Sequence, residues 1–371
     1  MGRAGYDEVV LLTGFPSFHA RRICEGLLDG RRTLVHAVVR PKLADEARQA
    51  LDALTLDQRS RVNILDGDAA SMDLGLSGAE WKSLAAEVDR IHHSAQVSYL
   101  GVDRKTAESV NVGGAREVLE LAYACKDLKA LVFHSTAHVS GDRTGLVLED
   151  ELDAGQSFRN VVEETKARAE KLMRASMARV PIVVVRPSIV VGDSQTGEID
   201  RFDGVYLLIL LIVTSPPDFA LPLPGRGDAP LNIVPIDYVA RAELAIGRDP
   251  RAVGGTYHIV DPAALTVRRV FELVARAGGR RMPRGFIPAN LTKALLRTPG
   301  LERFAKSPRA LLDTLGTPVT YGSANADALL AGTGIRCPPF ETYVEQLVGY
   351  VQLRLRERRA KTEEQIHDPL G

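Results

Sequence analysis

Short apolar runs alternate with longer amphipathic ones through the first half of the chain. The strand-like runs are Glu8–Leu12, Thr33–Val39, Val62–Leu65, Arg90–His93, Ala130–His134 and Ile182–Arg186. They are brief and rich in β-branched residues, as strands covered on both faces tend to be. Between them the 3.6-residue period predicts helices over Phe18–Leu28, Ala44–Leu54, Gly78–Ala86, Asp103–Ala124 and Val162–Met177. A βαβαβ order implies an α/β protein: a doubly wound parallel sheet with helices on both faces. Right-handed crossovers then gather the strand C-terminal ends on one edge, where open α/β sheets bind ligands.

The alternation weakens after about Gly192. Residues 193–235 are rich in Asp, Gly and Pro, and SPPDFALPLPGRGD is the clearest loop. A last strand, Thr256–Val260, is expected to return to the sheet. Leu265 to Tyr350 reads as mostly helical with Pro and Gly breaks, a smaller lobe closing over substrate. The expected division is therefore 1–192 plus 228–262 for nucleotide binding, 193–227 plus 263–350 for the substrate lobe, and 351–371 as a charged helical tail. The run VYLLILLIV, Val205 to Val213, is far short of the roughly 20 residues of a membrane helix. It reads as a buried helix or pocket lining, with shallow contact to lipid or an acyl chain as the lesser reading.

Composition narrows the classes. The chain has 371 residues, 45% hydrophobic and 25% charged, which suits a globular protein. Its 47 basic and 47 acidic residues cancel, so nothing in the charge calls for nucleic acid or an anionic membrane. The three cysteines, Cys24, Cys125 and Cys337, lie far apart, which argues against a disulfide framework or a zinc knuckle. The N-terminus runs into the first strand without a signal-peptide pattern, and a cytoplasmic protein is expected.

The segment VVLLTGFPSFHARRICEGLL reads strand, tight turn, helix, the start of a Rossmann-type unit. In such a turn glycine lets the backbone approach a pyrophosphate and the helix N-terminus supplies N–H donors. A GxxGxxG spacing would fall on Gly14, Ser17 and Ala20, so only the first glycine is present. With two glycines lost, a turn that no longer binds nucleotide stays open. Strand 2 ends in AVVRPK, with Arg40 where an NAD site usually carries an acid. A guanidinium suits a 2′-phosphate, which favours NADP(H) over NAD, but Arg40 reads equally as a surface charge.

LLTGFPSFHARR, LDGD (Leu65–Asp68), DLGLS, IHHSAQVSY, SVNVGGAREVLELA, FHSTAHVSGDRTG, FRNVVEETKARAEKLM, VVVRPSIVVGDSQTGEID and LNIVPIDYVARA occur in that order. Together they resemble the extended short-chain dehydrogenases/reductases of the thioester-reductase and fatty acyl-CoA reductase type. The resemblance implies that Thr13, Gly14, Ser17, Phe18 and Ala20 form the pyrophosphate turn and that Arg40 faces the 2′-phosphate. It puts Asp68 at the adenine amino group, Ala95 and Gln96 along the cofactor, and Asn111 at the structural asparagine. Thr136 takes the position that bonds the substrate carbonyl, Lys166 the catalytic lysine, and Pro187 and Ser188 flank the nicotinamide. It implies an acyl-thioester or other carbonyl substrate, free or carrier-bound, leaves a homodimer open, and calls for no metal.

One position departs. The family pairs tyrosine with lysine four residues later, on one helix face, so that the phenol can protonate the carbonyl oxygen. Four before Lys166 stands Val162, and no tyrosine in the chain has lysine four residues on. Three readings follow: a reductase with another proton source, a fold repurposed as a cyclase, isomerase or lyase, and a binding or scaffold protein. His138, Glu163 and Glu164 are the candidate sources; His138 also reads as packing, and the two glutamates as first-turn acids matched to the helix dipole. His92, His93, His134 and His138 show no metal-ligand spacing on one helix. Ser135 lacks a nucleophile elbow.

Overall fold

The computed structural model describes residues 5–99, 101–216, 223–224, 226–282, 285–287 and 316–367. In chain order the main elements are β1 (Glu8–Thr13), α1 (Phe18–Leu28), β2 (Thr33–Val39), α2 (Ala44–Asp52), β3 (Val62–Asp66), α3 (Gly78–Glu87) and β4 (Arg90–His93). Helix α4 follows as Arg104–Ala107 and Gly114–Ala124 joined by a π-helical turn, Glu108–Gly113. Then come β5 (Ala130–His134), α5 (Val161–Ser176), β6 (Ile182–Pro187), α6 (Val205–Thr214), α7 (Ile236–Arg248), β7 (Thr256–Ile259), α8 (Val267–Ala277), α9 (Ala324–Leu330) and α10 (Val344–His367).

The seven strands form one parallel sheet in the order β7-β6-β5-β4-β1-β2-β3. The order reverses between β1 and β4, the switch point of a doubly wound sheet. Strand alternation explains why both faces are covered. Val9 and Leu11 join a core with Leu84 of α3, Val118 of α4 and Met173 of α5. Val10 and Leu12 point the other way, onto Ile23 and Leu27 of α1, Ala47 of α2 and Leu244 of α7. With no polar face to show, most of the strands read as largely apolar runs; β4, Arg-Ile-His-His, is the exception.

The chain separates into two compact units: 1–188, 238–262 and 321–336, and 189–237, 263–320 and 337–371. This departs from the sequence-based division in three places. Ile189–Val191 pairs in parallel with Ile233–Pro235, which carries 189–192 and 228–237 into the second unit. Residues 321–336 belong to the first unit, because Glu149 takes the amides of Asn325 (2.7 Å), Ala326 (3.1 Å) and His258 (2.9 Å) on one carboxylate. The charged tail is the second half of α10, whose first half buries Leu347, Val348 and Val351 in the second unit's core.

VYLLILLIV is a helix, α6. A helix apolar on every side must be covered on every side. Helices α8 and α10 do this with Val267, Val270, Phe271, Val274 and Leu347. Among the described residues no helix is long and apolar enough to cross a membrane. Half of SPPDFALPLPGRGD (217–222 and 225), and residues 288–315 of the expected helical lobe, lie outside the described residues.

One buried ion pair ties β6 to α5. The Arg186 guanidinium, fully buried, donates to Glu170 Oε1 at 2.6 Å and to the Glu151 carbonyl at 2.9 Å. Burial, the largest single effect, would raise the Glu170 carboxyl, but the Arg186 charge and hydrogen bonds, with Arg174 and Ser135, together outweigh it and the pKa lies below the usual value. A carboxylate depressed in this way stabilises the fold above its unfolded pKa, about 4.3, and the contribution fades as pH falls through the folded value. Glu170→Gln leaves a buried guanidinium without its counter-charge and should cost about 3–5 kcal/mol in urea unfolding at pH 7. A loss below about 1 kcal/mol would show that the pair is dispensable.

Candidate functional site

The turn after β1 is fixed by its contact with the end of β4. Gly14 has φ +91°, and a Cβ there would lie 2.7 Å from the Ser94 carbonyl and 2.8 Å from Ala95 N. Both the conformation and the space therefore require glycine. Beside it, Thr13 Oγ1 accepts from Ala95 N (3.2 Å) and pairs with His93 Nδ1 (2.9 Å). Burial pushes His93 down to about 3, so the imidazole is neutral.

Ser17 caps α1, accepting from Ala20 N at 3.4 Å. Its hydroxyl is thereby engaged with the helix. The amides of Phe18 and His19 have no partner among the described residues, as expected of the first turn of a helix. Ala20 is fully buried, which accommodates close packing of α1 without a third glycine.

Around the switch-point edge, several groups predicted from sequence are unengaged. The Arg40 side chain has no partner among the described residues. Both polar atoms of the Gln96 carboxamide are buried and unpartnered. Asp68 Oδ1 accepts from Ala70 N at 3.0 Å, which shapes its own turn.

On the other side of the switch point, Thr136 ends the loop after β5. Its Oγ1 accepts from His138 N (3.3 Å) and donates to the Pro187 carbonyl (3.4 Å). Ser188 N donates to Ile259 O at 3.2 Å. Ser135 Oγ donates to Glu170 at 2.6 Å, so it is a buried structural hydroxyl and no nucleophile.

Lys166, on α5, is buried with 8% exposure and has no hydrogen-bond partner among the described residues. Burial pushes its ammonium down to about 8, with Glu243 pulling the other way. Asn111 sits in the π-helical turn of α4. It accepts from Val97 N (2.8 Å) and donates to Val97 O (3.2 Å) and Thr165 Oγ1 (2.9 Å), locking the residue before Lys166 to the loop after β4.

Val162 is buried in an apolar cluster with Val102 and Ala107, with Val97 and Tyr99 packed against it. The three sequence candidates for a substitute acid fare poorly. Burial, then the Arg159 and Lys166 charges, push His138 down to about 4, so it carries no proton to give near pH 7. Glu163 is tied to Asn160 (3.1 Å) and Arg159 (3.3 Å), while Glu164 accepts both nitrogens of Arg104 at 2.9 Å.

Sequence reasoning missed one group of residues. His19 Nε2 lies 2.6 Å from Glu243 Oε2, and His134 Nδ1 lies 3.2 Å from Glu243 Oε1. Burial opposes ionisation of Glu243, yet the two imidazoles outweigh it and hold the carboxyl well below the usual range. These residues come from α1, α7 and β5, and no spacing along the chain joins them. The available signal was a glutamate in the middle of an apolar helix face.

Fold and turn define a protein of the doubly wound class, with the extended short-chain dehydrogenase/reductase architecture. The chain belongs to the NAD-binding family described as male sterility protein, whose profile matches residues 12–243. It is 27% identical over 310 residues to fatty acyl-CoA reductase wat of Drosophila melanogaster, covering 72% of this chain and 60% of that protein. It is also 27% identical over 290 residues to a carboxylic acid reductase of Mycobacterium tuberculosis, covering 69% of this chain and 24% of that one. With the nonribosomal peptide synthetase-like enzyme fsqF of Aspergillus fumigatus it shares 28% identity over 229 residues, 55% of this chain and 15% of that protein. The chain thus spans less than two thirds of each of these relatives.

Among solved structures, the terminal R domain from the myxalamid PKS-NRPS biosynthetic pathway superposes with a TM-score of 0.81 at 24% identity, covering 95% of this chain and 92% of that one. UDP-glucuronic acid 4-epimerase from Bacillus cereus, in complex with NAD, gives 0.66 at 19% identity over 93% and 96%. These two likenesses establish the fold.

Two outcomes test the site. Gly14→Ala forces a Cβ into the Ser94–Ala95 backbone and should lower stability by about 1–3 kcal/mol. An unchanged melting temperature would mean that the close approach is not real. The Lys166 side chain, followed by NMR of its Cε methylene, should titrate near 8, against about 10.4 for a free lysine. Because the folded value lies below the unfolded one, the unfolded chain holds more protons between the two and stability should rise with pH across that window. A midpoint near 10 would place the ammonium in water.

Proposed function

We propose that this protein binds NADP(H) along the switch-point edge and reduces an acyl thioester or related carbonyl, with proton donation weakened by the missing tyrosine. The reading rests on one observation above others: a buried, hydrogen-bond-free Lys166 at about 8, on the helix that follows Thr136, in a chain of this family. A lysine buried without a partner costs stability, and a ligand hydroxyl would relieve that cost.

The residues present fit a dinucleotide. Gly14 leaves a backbone cradle that a Cβ would fill. The free amides at the start of α1 suit a phosphate. The orphaned Gln96 carboxamide awaits a polar partner, and the unengaged Arg40 suits a 2′-phosphate. When bound, the cofactor supplies hydride. Lys166 then holds the ribose hydroxyls, and Thr136 Oγ1 turns from the Pro187 carbonyl to donate to the substrate oxygen. Asn111 keeps α5 in place beneath them. Val162 has no proton to give, burial keeps His138 neutral near pH 7, and Arg104 pulls the Glu164 carboxyl down, so that proton comes from solvent or from Lys166, which at about 8 is poised to give one; burial raises the Glu163 carboxyl, but Arg159 and Asn160 engage it.

The relatives' names supply the substrate class: fatty acyl-CoA reductase, carboxylic acid reductase and nonribosomal peptide synthetase-like enzyme. A thioester on coenzyme A or on a carrier protein is the chemistry they share. The apolar closure around Val162 favours a second reading, in which the nucleotide binds and no hydride moves.

NADPH should raise the melting temperature and be oxidised slowly by acyl-CoA or aldehyde. Failure of millimolar NADPH to stabilise the protein would rule out both readings. Arg40→Ala should weaken NADPH by roughly 10–100-fold and leave NADH little changed. Equal losses for both would remove the 2′-phosphate contact. Val162→Tyr should raise kcat on the order of 10²-fold at unchanged NADPH affinity. No gain, in a folded variant that still binds NADPH, selects the redox-inactive reading.

A further inference from the structure

The face of the sheet that packs on α1 and α7 is apolar along most of its length, but several of its buried positions carry ionisable groups, Glu8 and Arg90 as an ion pair at one end and a second group further along. Val10, Leu12, Ile23 and Leu244 are ordinary core on this face. His92 of β4, His134 of β5 and Glu243 of α7 are buried beside them, at 0%, 2% and 0% exposure. His19, from the first turn of α1, completes the group with its side chain 28% exposed. Replacing apolar core with four such residues is costly unless the groups serve one another or a ligand.

Their arrangement is that of metal ligands with outer partners. His19 Nε2, His134 Nδ1 and one Glu243 oxygen all lie within 4.8 Å of one another. Two donors on one tetrahedral zinc, each about 2.0–2.1 Å from it, stand about 3.3 Å apart. His134 Nδ1 and Glu243 Oε1 are 3.2 Å apart without hydrogen-bond geometry and have no other partner among the described residues; His19 Nε2 is hydrogen-bonded to Glu243 Oε2 at 2.6 Å, a bond the ion would replace.

The far nitrogens are also provided for. Ser94 Oγ lies 3.3 Å from His19 Nδ1, and His92 Nδ1 lies 3.1 Å from His134 Nε2. A histidine that ligates through one nitrogen donates its other N–H to such a partner, which fixes tautomer and ring plane. His19 would ligate through Nε2 and donate from Nδ1; His134 would ligate through Nδ1 and donate from Nε2.

We propose that His19, His134 and Glu243 bind one divalent transition-metal ion of the zinc type, with water completing the shell from the exposed side of His19. Two imidazoles and one carboxylate are a zinc donor set that leaves a position open. The site lies wholly within the first unit. It does not depend on the reductase reading.

The test is direct titration of the chelator-stripped full chain with Zn²⁺ and, separately, with Co²⁺. One equivalent of Zn²⁺ should bind and raise the melting temperature, and Co²⁺ should give visible bands of a four- or five-coordinate nitrogen–oxygen site. Glu243→Gln and His19→Leu should each weaken Zn²⁺ by at least about 10²-fold, and Ser94→Ala by about 10-fold. If Glu243→Gln does not fold, His19→Leu decides, since that side chain is partly exposed and lies off the packed core. Substoichiometric uptake by folded wild-type protein overturns the proposal. So does tight binding that survives His19→Leu, because the ion would then be held elsewhere. In either case the cluster would be a hydrogen-bonded network holding α1 against α7.

Discussion

The close approach of two backbones, Gly14 against Ser94–Ala95, is the constraint on which the site depends. It occurs where the sheet order reverses, so the chain leaving β1 and the chain leaving β4 diverge to opposite faces and open a crevice between them. Thr13 and His93 clamp the two ends from below. Because the glycine serves this packing as well as any phosphate, its retention alone would say little about nucleotide. The unpartnered Gln96, the unengaged Arg40 and the family membership carry that argument.

The catalytic half of the edge shows what happens when one member of an interacting set is lost. Lys166 remains buried, and Asn111 still fixes its helix through Thr165. The space at position 162 has been made apolar, closed by Val97, Val102 and Ala107. A lysine kept in a dry setting with no protein partner is a standing expense of stability. Such an expense is commonly found where a protein binds something.

Local periodicity made the sheet legible. All six strand runs of the first half and the return of Thr256 into the sheet are present, with ends shifted by at most one residue. Most of the strands are buried on both faces, so their short, largely apolar runs stand out between the amphipathic helices. The unit boundaries were not legible in the same way, because they are set by tertiary contacts. Glu149 reaching Asn325, and Ile189–Val191 pairing with Ile233–Pro235, leave no mark in composition. Among candidate site residues, those tied to motifs could be named by position. The titration of His138 was not legible, because it is set by burial and by Arg159 and Lys166, which only folding brings near. The His19–Glu243–His134 group escaped because its members come from three separated elements.

The Glu149 carboxylate has a consequence for how the chain is made. It binds the edge strand β7 and the start of α9, segments more than a hundred residues downstream. A nascent chain that has emerged only through β6 holds this acid without its donors, and β6 still stands as an open, hydrogen-bond-hungry edge. The first unit therefore cannot finish folding as it leaves the ribosome. It waits for a stretch synthesised after residues 189–237 and 263–320 of the second unit, and in that interval the unpaired edge is the place where aggregation would start.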